Sequence, residues 1–314
     1  MPSLSSILRR VSDRAFGTAF DRALERSLRD PRGRYLFFWN RGMGDIALGL
    51  VPLFECIRAR RPGARIEVIT REELRTPFEL SGADAVHVLE GLDREARMDL
   101  GEACQRLGID YASFGTAFAY PDPNRWLAGR RHEFPPRLRW DAQWDALADG
   151  LVPRMPGRIV VAAHVNSETR HLYGYVKDWP AACWQELFMR FGEDDRVHWI
   201  LFGYGTEPRY AGAGITDLRG KTGVLELLSV IRNRCRVLVA PDSGVLTMAY
   251  YLDADFPLDV VSLWSDPRQG ILLQGCASPN PRLRHVHLVG EGEDVTRLAV
   301  GEVAAAVQAA IRNA

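Results

Sequence analysis

From Arg34 onward the sequence alternates short apolar runs with stretches of helical period. "RYLFFWN", "ARIEVIT" and "AVHVLE" read as strands, with helices at 45–61 and 72–81 between them. A further helix near 94–107 and a strand at "IDYASFG" continue the pattern. Residues 116–139, rich in Arg, Pro and aromatics, read as loop, and "WDAQWDALADGL" restores helical period. "VPRMPG" (152–157) punctuates the chain with two prolines and a glycine. The alternation then restarts: "RIVVAAHV" strand, 180–191 helix, "RVHWILFG" strand, "VLELLSVIRN" helix, "RVLVAP" strand and a helix over 243–252. The strands "LDVVSLW" and "HVHLV" and a helix at 294–312 close it. Such alternation predicts parallel sheets with helices on both faces. The expected fold class is α/β, with two doubly wound domains facing across a cleft. The domains are residues 35–151 and 152–314, the last helix staying in the second or packing back on the first. Ligands of such sheets sit beyond the carboxyl ends of the strands, so motifs there carry the chemistry.

A chain of 314 residues with 46% hydrophobic content can bury two cores. Forty acidic residues balance forty basic ones, so no overall field favours nucleic acid, and no nucleic-acid partner is expected. Only Lys177 and Lys221 are lysine, which makes their positions informative, since a compact ammonium binds phosphate differently from a planar guanidinium. The five cysteines are odd in number, dispersed and never C-x-x-C, as expected of free thiols in a reducing compartment. With no apolar run near the ~20 residues of a membrane span and no signal-peptide core, a cytoplasmic location is expected.

Residues 1–34 stand apart as an amphipathic, arginine-rich helical extension, with Ile7, Val11, Phe16, Phe20, Leu24 and Leu28 along one face. Two readings stay open: packing on the domain or a partner chain, and peripheral contact with the anionic inner membrane surface.

Several sites lie where a strand hands over to a helix. In "FFWNRGMGDIALGL", Gly42, Gly44 and Ala47 fit G-x-G-x-x-A, the dinucleotide-binding fingerprint. Glu72 and Glu73 would then serve the ribose, a little beyond the usual spacing. Asp45, however, places a carboxylate where a pyrophosphate should sit, and it reads either as a first-turn cap or as a general base. In "APDSGVLTMAY", Asp242 and Ser243 precede a helix and Gly244 opens its backbone to a ligand. "HVNSETRHLYGYVKDWP" offers Asn166, Ser167, Thr169 and Lys177 beside another strand end. "FGYGTEP" ends a strand with Glu207. The stretch "NRWLAGRRHEFPPRLRW" is either a grip for acidic sugars or phosphates or a basic surface loop. Asp253-Ala254-Asp255 reads as turn, and His285 with His287 lack a third ligand, so no metal is expected. No Walker lysine follows the glycine turn and no G-x-S-x-G occurs.

Taken in order, "GDIALGLVPLFECIRARRPGARIEVIT", "KDWP" and "DLRGKTGVLELLSVIRNRCRVLVAPDSGVLTMA" resemble glycosyltransferase family 9, the ADP-heptose:lipopolysaccharide heptosyltransferases, over about Tyr35 to Trp264. The resemblance implies a GT-B fold of two Rossmann-like domains and an inverting, metal-independent transfer without a cofactor. A heptose-like sugar would pass from a nucleotide diphosphate, ADP-linked in the family, to a lipopolysaccharide-core-like glycan or a protein. By motif match it implies Asp45 as base and Lys177 as the contact to the donor diphosphate or sugar. Asn166, Ser167, Glu207, Asp242, Ser243, Gly244 and Thr247 fall on the donor side. Gly44, Arg125, Arg130 and Arg131 are the acceptor-side candidates. Where the family usually reads D-S-G-x-x-H, this chain has Thr247. The competing expectations are an NAD-dependent oxidoreductase using Gly42 and Gly44, and a non-catalytic nucleotide- or sugar-binding descendant.

Overall fold

The structure is a computed structural model that describes residues 17, 19–121, 131–167, 176–212 and 214–313. The chain divides into two compact units, Met1–Pro135 and Pro136–Ala314.

In the first unit, α1 (Ala19–Leu28) leads into β1 (Arg34–Phe38). A helix follows that runs through Met43–Asp45, a π-turn at Ile46–Leu50 and Val51–Arg60 (α2). Then come β2 (Arg65–Thr70), α3 (Arg75–Leu80), β3 (Ala85–Val88), α4 (Leu100–Leu107) and β4 (Thr116–Ala119). The four strands lie parallel in the order β3-β2-β1-β4, and Phe37 of β1 sits opposite Val68 on one side and Phe118 on the other. The apolar face of α1 is spent on this unit, with Leu24 buried and the Phe20 and Phe118 rings 5.1 Å apart. Residues 19–28 of the extension thus pack on this unit; residues 1–16 and 18 lie outside the described residues.

The second unit contains β5 (Leu138–Arg139), β6 (Ile159–Asn166), α5 (Ala181–Arg190), β7 (Val197–Gly203), β8 (Ile215–Asp217), α6 (Val224–Arg234) and β9 (Val237–Pro241). It continues through α7 (Gly244–Tyr250), β10 (Leu252–Asp253), β11 (Leu258–Trp264), α8 (Gly270–Gln274), β12 (Leu283–Val289) and α9 (Val300–Arg312). Six parallel strands run β12-β11-β9-β6-β7-β8, and β5 pairs with β10. β6, β9 and β11 are apolar runs rather than alternating ones because both sheet faces are covered. One face packs Trp184 and Phe188 of α5 and Val303, Val307 and Ile311 of α9 against Val161, Trp199 and Val239. The last helix thus belongs to the core of its own unit.

Three local expectations are corrected, each by a polar side chain. Helix α4 starts only at Leu100 because the Asp99 carboxylate accepts from Glu102 N at 3.1 Å and caps it. "IDYASFG" is not a strand: Asp110 accepts from Ala112 N at 3.0 Å and closes a 3-10 turn at Tyr111–Ser113. The strand comes later, as β4, within the stretch read as loop. "WDAQWDALADGL" forms a 3-10 helix at Ala142–Ala148. Ser229 of α6 donates to Trp144 O at 2.7 Å and accepts from Ala148 N at 3.1 Å, so these residues pack in the second unit although they precede "VPRMPG".

Candidate functional site

Each sheet reverses its winding once. In the first unit the chain passes from β1 through β2 to β3 on one side, then crosses to β4 on the other; in the second, β6, β7 and β8 go one way and β9, β11 and β12 the other. At such a reversal the connections leave in opposite directions, which opens a crevice outside the strand ends. The residues just past β1, β6 and β9 are therefore the ones this architecture offers to a ligand.

Past β1 the chain is tied from below. Thr70 Oγ1 donates to Trp39 O at 2.6 Å, and Trp39 Nε1 donates to Gly42 O at 3.2 Å. The fully buried Asn40 donates from Nδ2 to Asp93 O at 2.8 Å and Ala96 O at 2.9 Å. Gly42 and Gly44 then carry the chain into the helix, with half-buried Asp45 in its first turn. A carboxylate there is favoured by the helix dipole, and the π-turn that follows is a form frequent at functional sites. Glu72 and Glu73 lie on an exposed 3-10 turn, bonded to Arg75 at 3.1 Å and Arg71 at 3.0 Å. Arg125 and Arg130 fall outside the described residues, and Arg131 opens a 3-10 turn at Arg131–Glu133.

In the second unit the strand ends gather side chains from distant parts of the sequence. Lys177 Nζ lies 2.9 Å from Asp242 Oδ2, with only 14% and 9% of the two side chains exposed. Ser167 donates to Asp178 from N at 3.1 Å and from Oγ at 3.1 Å. Ser265, just after β11, donates to Val176 O at 2.5 Å and accepts from Val295 N at 2.9 Å. The segment 176–178 is thus fastened across the ends of β6, β9 and β11. β6 shifts register against β7 between His164 and Asn166, so Asn166 is re-aimed at Gly203. Its Oδ1 is buried without a hydrogen-bond partner.

Of the donor-side candidates, Asn166, Ser167, Lys177 and Asp242 share the ends of β6 and β9. Ser243 caps α7, accepting from Leu246 N at 3.2 Å, and Gly244 is the first residue of that helix. Thr247 is buried and its hydroxyl donates to Ser243 O at 3.1 Å, so it is committed to the helix. Glu207, a few residues past β7, lies exposed 3.7 Å from Arg209.

Asp178, Ser265, Gly203 and His164 were not singled out by the sequence. Asp178 stood in plain view within "KDWP", but its partner Ser167 lies outside that motif. His164 is fully enclosed, and burial pushes its pKa down to about 4, leaving Nδ1 without a partner. Asp253 and Asp255 pair with Arg137 and Arg282 on the surface, and His285 bonds Ser262 at 2.7 Å. Among the described residues no three His, Cys, Asp or Glu side chains gather as a metal requires.

No protein-family profile matches the sequence, and no curated protein matches it. Solved structures do. ADP-heptose lps heptosyltransferase II of E. coli superposes with a TM-score of 0.59 at 16% identity, over 89% of this chain and 99% of that one. A glycosyl transferase family 9 protein from Veillonella parvula gives 0.62 at 14% identity, over 90% and 98%. The chain has the GT-B fold. The iron-containing dodecameric glycosyltransferase TibC of enterotoxigenic E. coli shares it at a TM-score of 0.50 and 12% identity, over 89% and 76%. In the GT-B frame the two crevices are one per Rossmann-like unit, an acid past β1 and a cation past β6. No helix among the described residues is long and apolar enough to cross a membrane.

Proposed function

We propose that the protein is an inverting glycosyltransferase of the family 9 heptosyltransferase kind, using a nucleotide-diphosphate sugar as donor. The E. coli relative of the same fold is named for ADP-heptose, and a TibC complex holds ADP-D-beta-D-heptose, which supports an ADP-linked heptose as the donor. The acceptor is a glycan or protein hydroxyl. Asp45 removes the proton of that hydroxyl as its oxygen attacks the anomeric carbon from the side opposite the phosphate. The carbon–oxygen bond to the diphosphate breaks, its electron pair leaves with the nucleotide, and Lys177 offsets the charge that develops there. Asn166 and Ser167 bind the donor beside it.

The observation that carries this reading is the half-enclosed Lys177 at the β6/β9 reversal. Asp242 holds it in place, and in a water-poor crevice an ammonium serves a diphosphate far better than on an open surface. A lysine supplies this charge without a metal, so transfer is expected to survive EDTA.

A thermal-shift panel of ADP, ADP-heptose, UDP-sugars and NADH tests it. A ligand at a hundred times its Kd adds about 2.7 kcal/mol to stability, and the adenine diphosphates should give this shift in the wild type but not in Lys177→Ala. Stabilisation by NADH alone would favour the oxidoreductase. Tight ADP binding without turnover on any acceptor would favour a binding module.

A further inference from the structure

Gly42 carries a second consequence. Its φ of −68° and ψ of 138° are open to any L-residue, so the backbone does not ask for glycine. Space does: a Cβ at this position would sit 2.9 Å from Asp45 Oδ2. The turn cannot retreat from such a methyl, because Trp39 Nε1 holds the Gly42 carbonyl and Asn40 is bonded to Asp93 O and Ala96 O. The yielding partner is the carboxylate.

We infer that Gly42 is a positioning residue whose bare Cα forms the seat of the Asp45 carboxylate, setting the direction in which that acid faces its substrate. The inference rests on the reading of Asp45 as base. The same device recurs in the second unit. A Cβ at Gly203 would collide with Asn166 Oδ1, and one at Gly270 would lie 2.9 Å from Asp242 Oδ1. Three of the polar side chains assigned to the two crevices thus rest against a glycine. Gly270 also has a φ of +50° and sits under the Trp264 ring, so its replacement would disturb the fold for other reasons. Gly42 is the position where seat and backbone can be separated.

Gly42→Ala is the test, with Gly150→Ala, where an added Cβ meets nothing within 4 Å, as the control. Gly42→Ala should keep the wild-type melting temperature and ADP affinity while kcat falls by up to about 10²-fold, the usual consequence of misplacing a reacting group by about 1 Å. Gly42→Val should lose more. The 13C resonance of the Asp45 carboxyl, assigned by its disappearance in Asp45→Asn, should move in Gly42→Ala and stay in Gly150→Ala. An unmoved resonance together with wild-type kcat in Gly42→Ala overturns the seat while leaving Asp45 as base. If Asp45→Asn itself retains full transfer, the reading of the base fails instead, and the resonance alone then decides whether Gly42 positions the carboxylate.

Discussion

The two crevices are built in different ways. Past β1, the turn from Trp39 to Asp45 is nearly self-sufficient: the indole of Trp39 holds a carbonyl three residues on, and the acid stands on the first turn of the next helix. Past β6 and β9, nothing local suffices. Lys177 finds its partner at Asp242, Ser167 finds Asp178, and Ser265 reaches back to Val176. A single acid can be presented by a short motif because it needs one orientation. A cluster of several polar groups at fixed separations is supplied by a parallel sheet only by bringing strand ends side by side.

The largest effect should come from the local half. Asp45→Asn should lower kcat by about 10²–10⁴-fold, the range for loss of a general base, with ADP affinity unchanged by calorimetry. A variant that loses nucleotide affinity instead would erase the division of labour between the crevices.

Acid should separate the two units next. Burial lowers His164 to about 4, and burial with His287 nearby lowers His285 to about 4, from an ordinary 6.5. The folded second unit keeps these imidazoles neutral, so its stability is complete above pH 6.5 and drains away as pH falls towards 4. For His164 the loss is about 3 kcal/mol. In the first unit, burial of Glu67 works against its charge, but Arg34 and His87 hold the carboxyl below its ordinary 4.5, so that contribution is lost only at more acid pH. Hydrogen exchange followed from pH 7 to 4 should therefore loosen β6 and β12 before β1 and β2. The reverse order would contradict the assignment.

Lys177→Ala should weaken ADP binding by about 1.5–3 kcal/mol, the value of a charge-assisted hydrogen bond, and should lower the melting temperature by removing the ion pair made to the enclosed Asp242 carboxylate. Adding Asp242→Asn should recover the melting temperature but not the affinity. Ser167→Ala, which removes the Oγ bond to Asp178 and keeps the N–H bond, should cost the least, about 1 kcal/mol in thermal unfolding.

The same contrast explains what could be read in advance. The strands β1, β2, β6, β7, β9 and β11 were legible because fully buried parallel strands leave uninterrupted apolar runs. The place of Asp45 in the first turn of the helix was legible because turn, acid and helix are contiguous. The 3-10 turn at Tyr111–Ser113 was not, since one Asp110 hydrogen bond outweighs the apolar look of "IDYASFG". β8 and α8 were missed because runs of three and five residues are too short to show a period. The commitment of Thr247 to Ser243 O, and the exposure of Glu207 beside Arg209, appear only once neighbours are in place.

The sequence by itself determined the architecture, two parallel sheets wrapped in helices, because hydrophobic period is a local property that each segment carries alone. It also determined that an acid would follow the first strand. Tertiary structure alone decided which polar groups share a crevice, because the separation between Lys177 and Asp242 is set by strand order in a sheet and by no interval along the chain. It alone decided, too, that glycine at position 42 answers to a carboxylate and not to the backbone, since that choice depends on what occupies the space beside it.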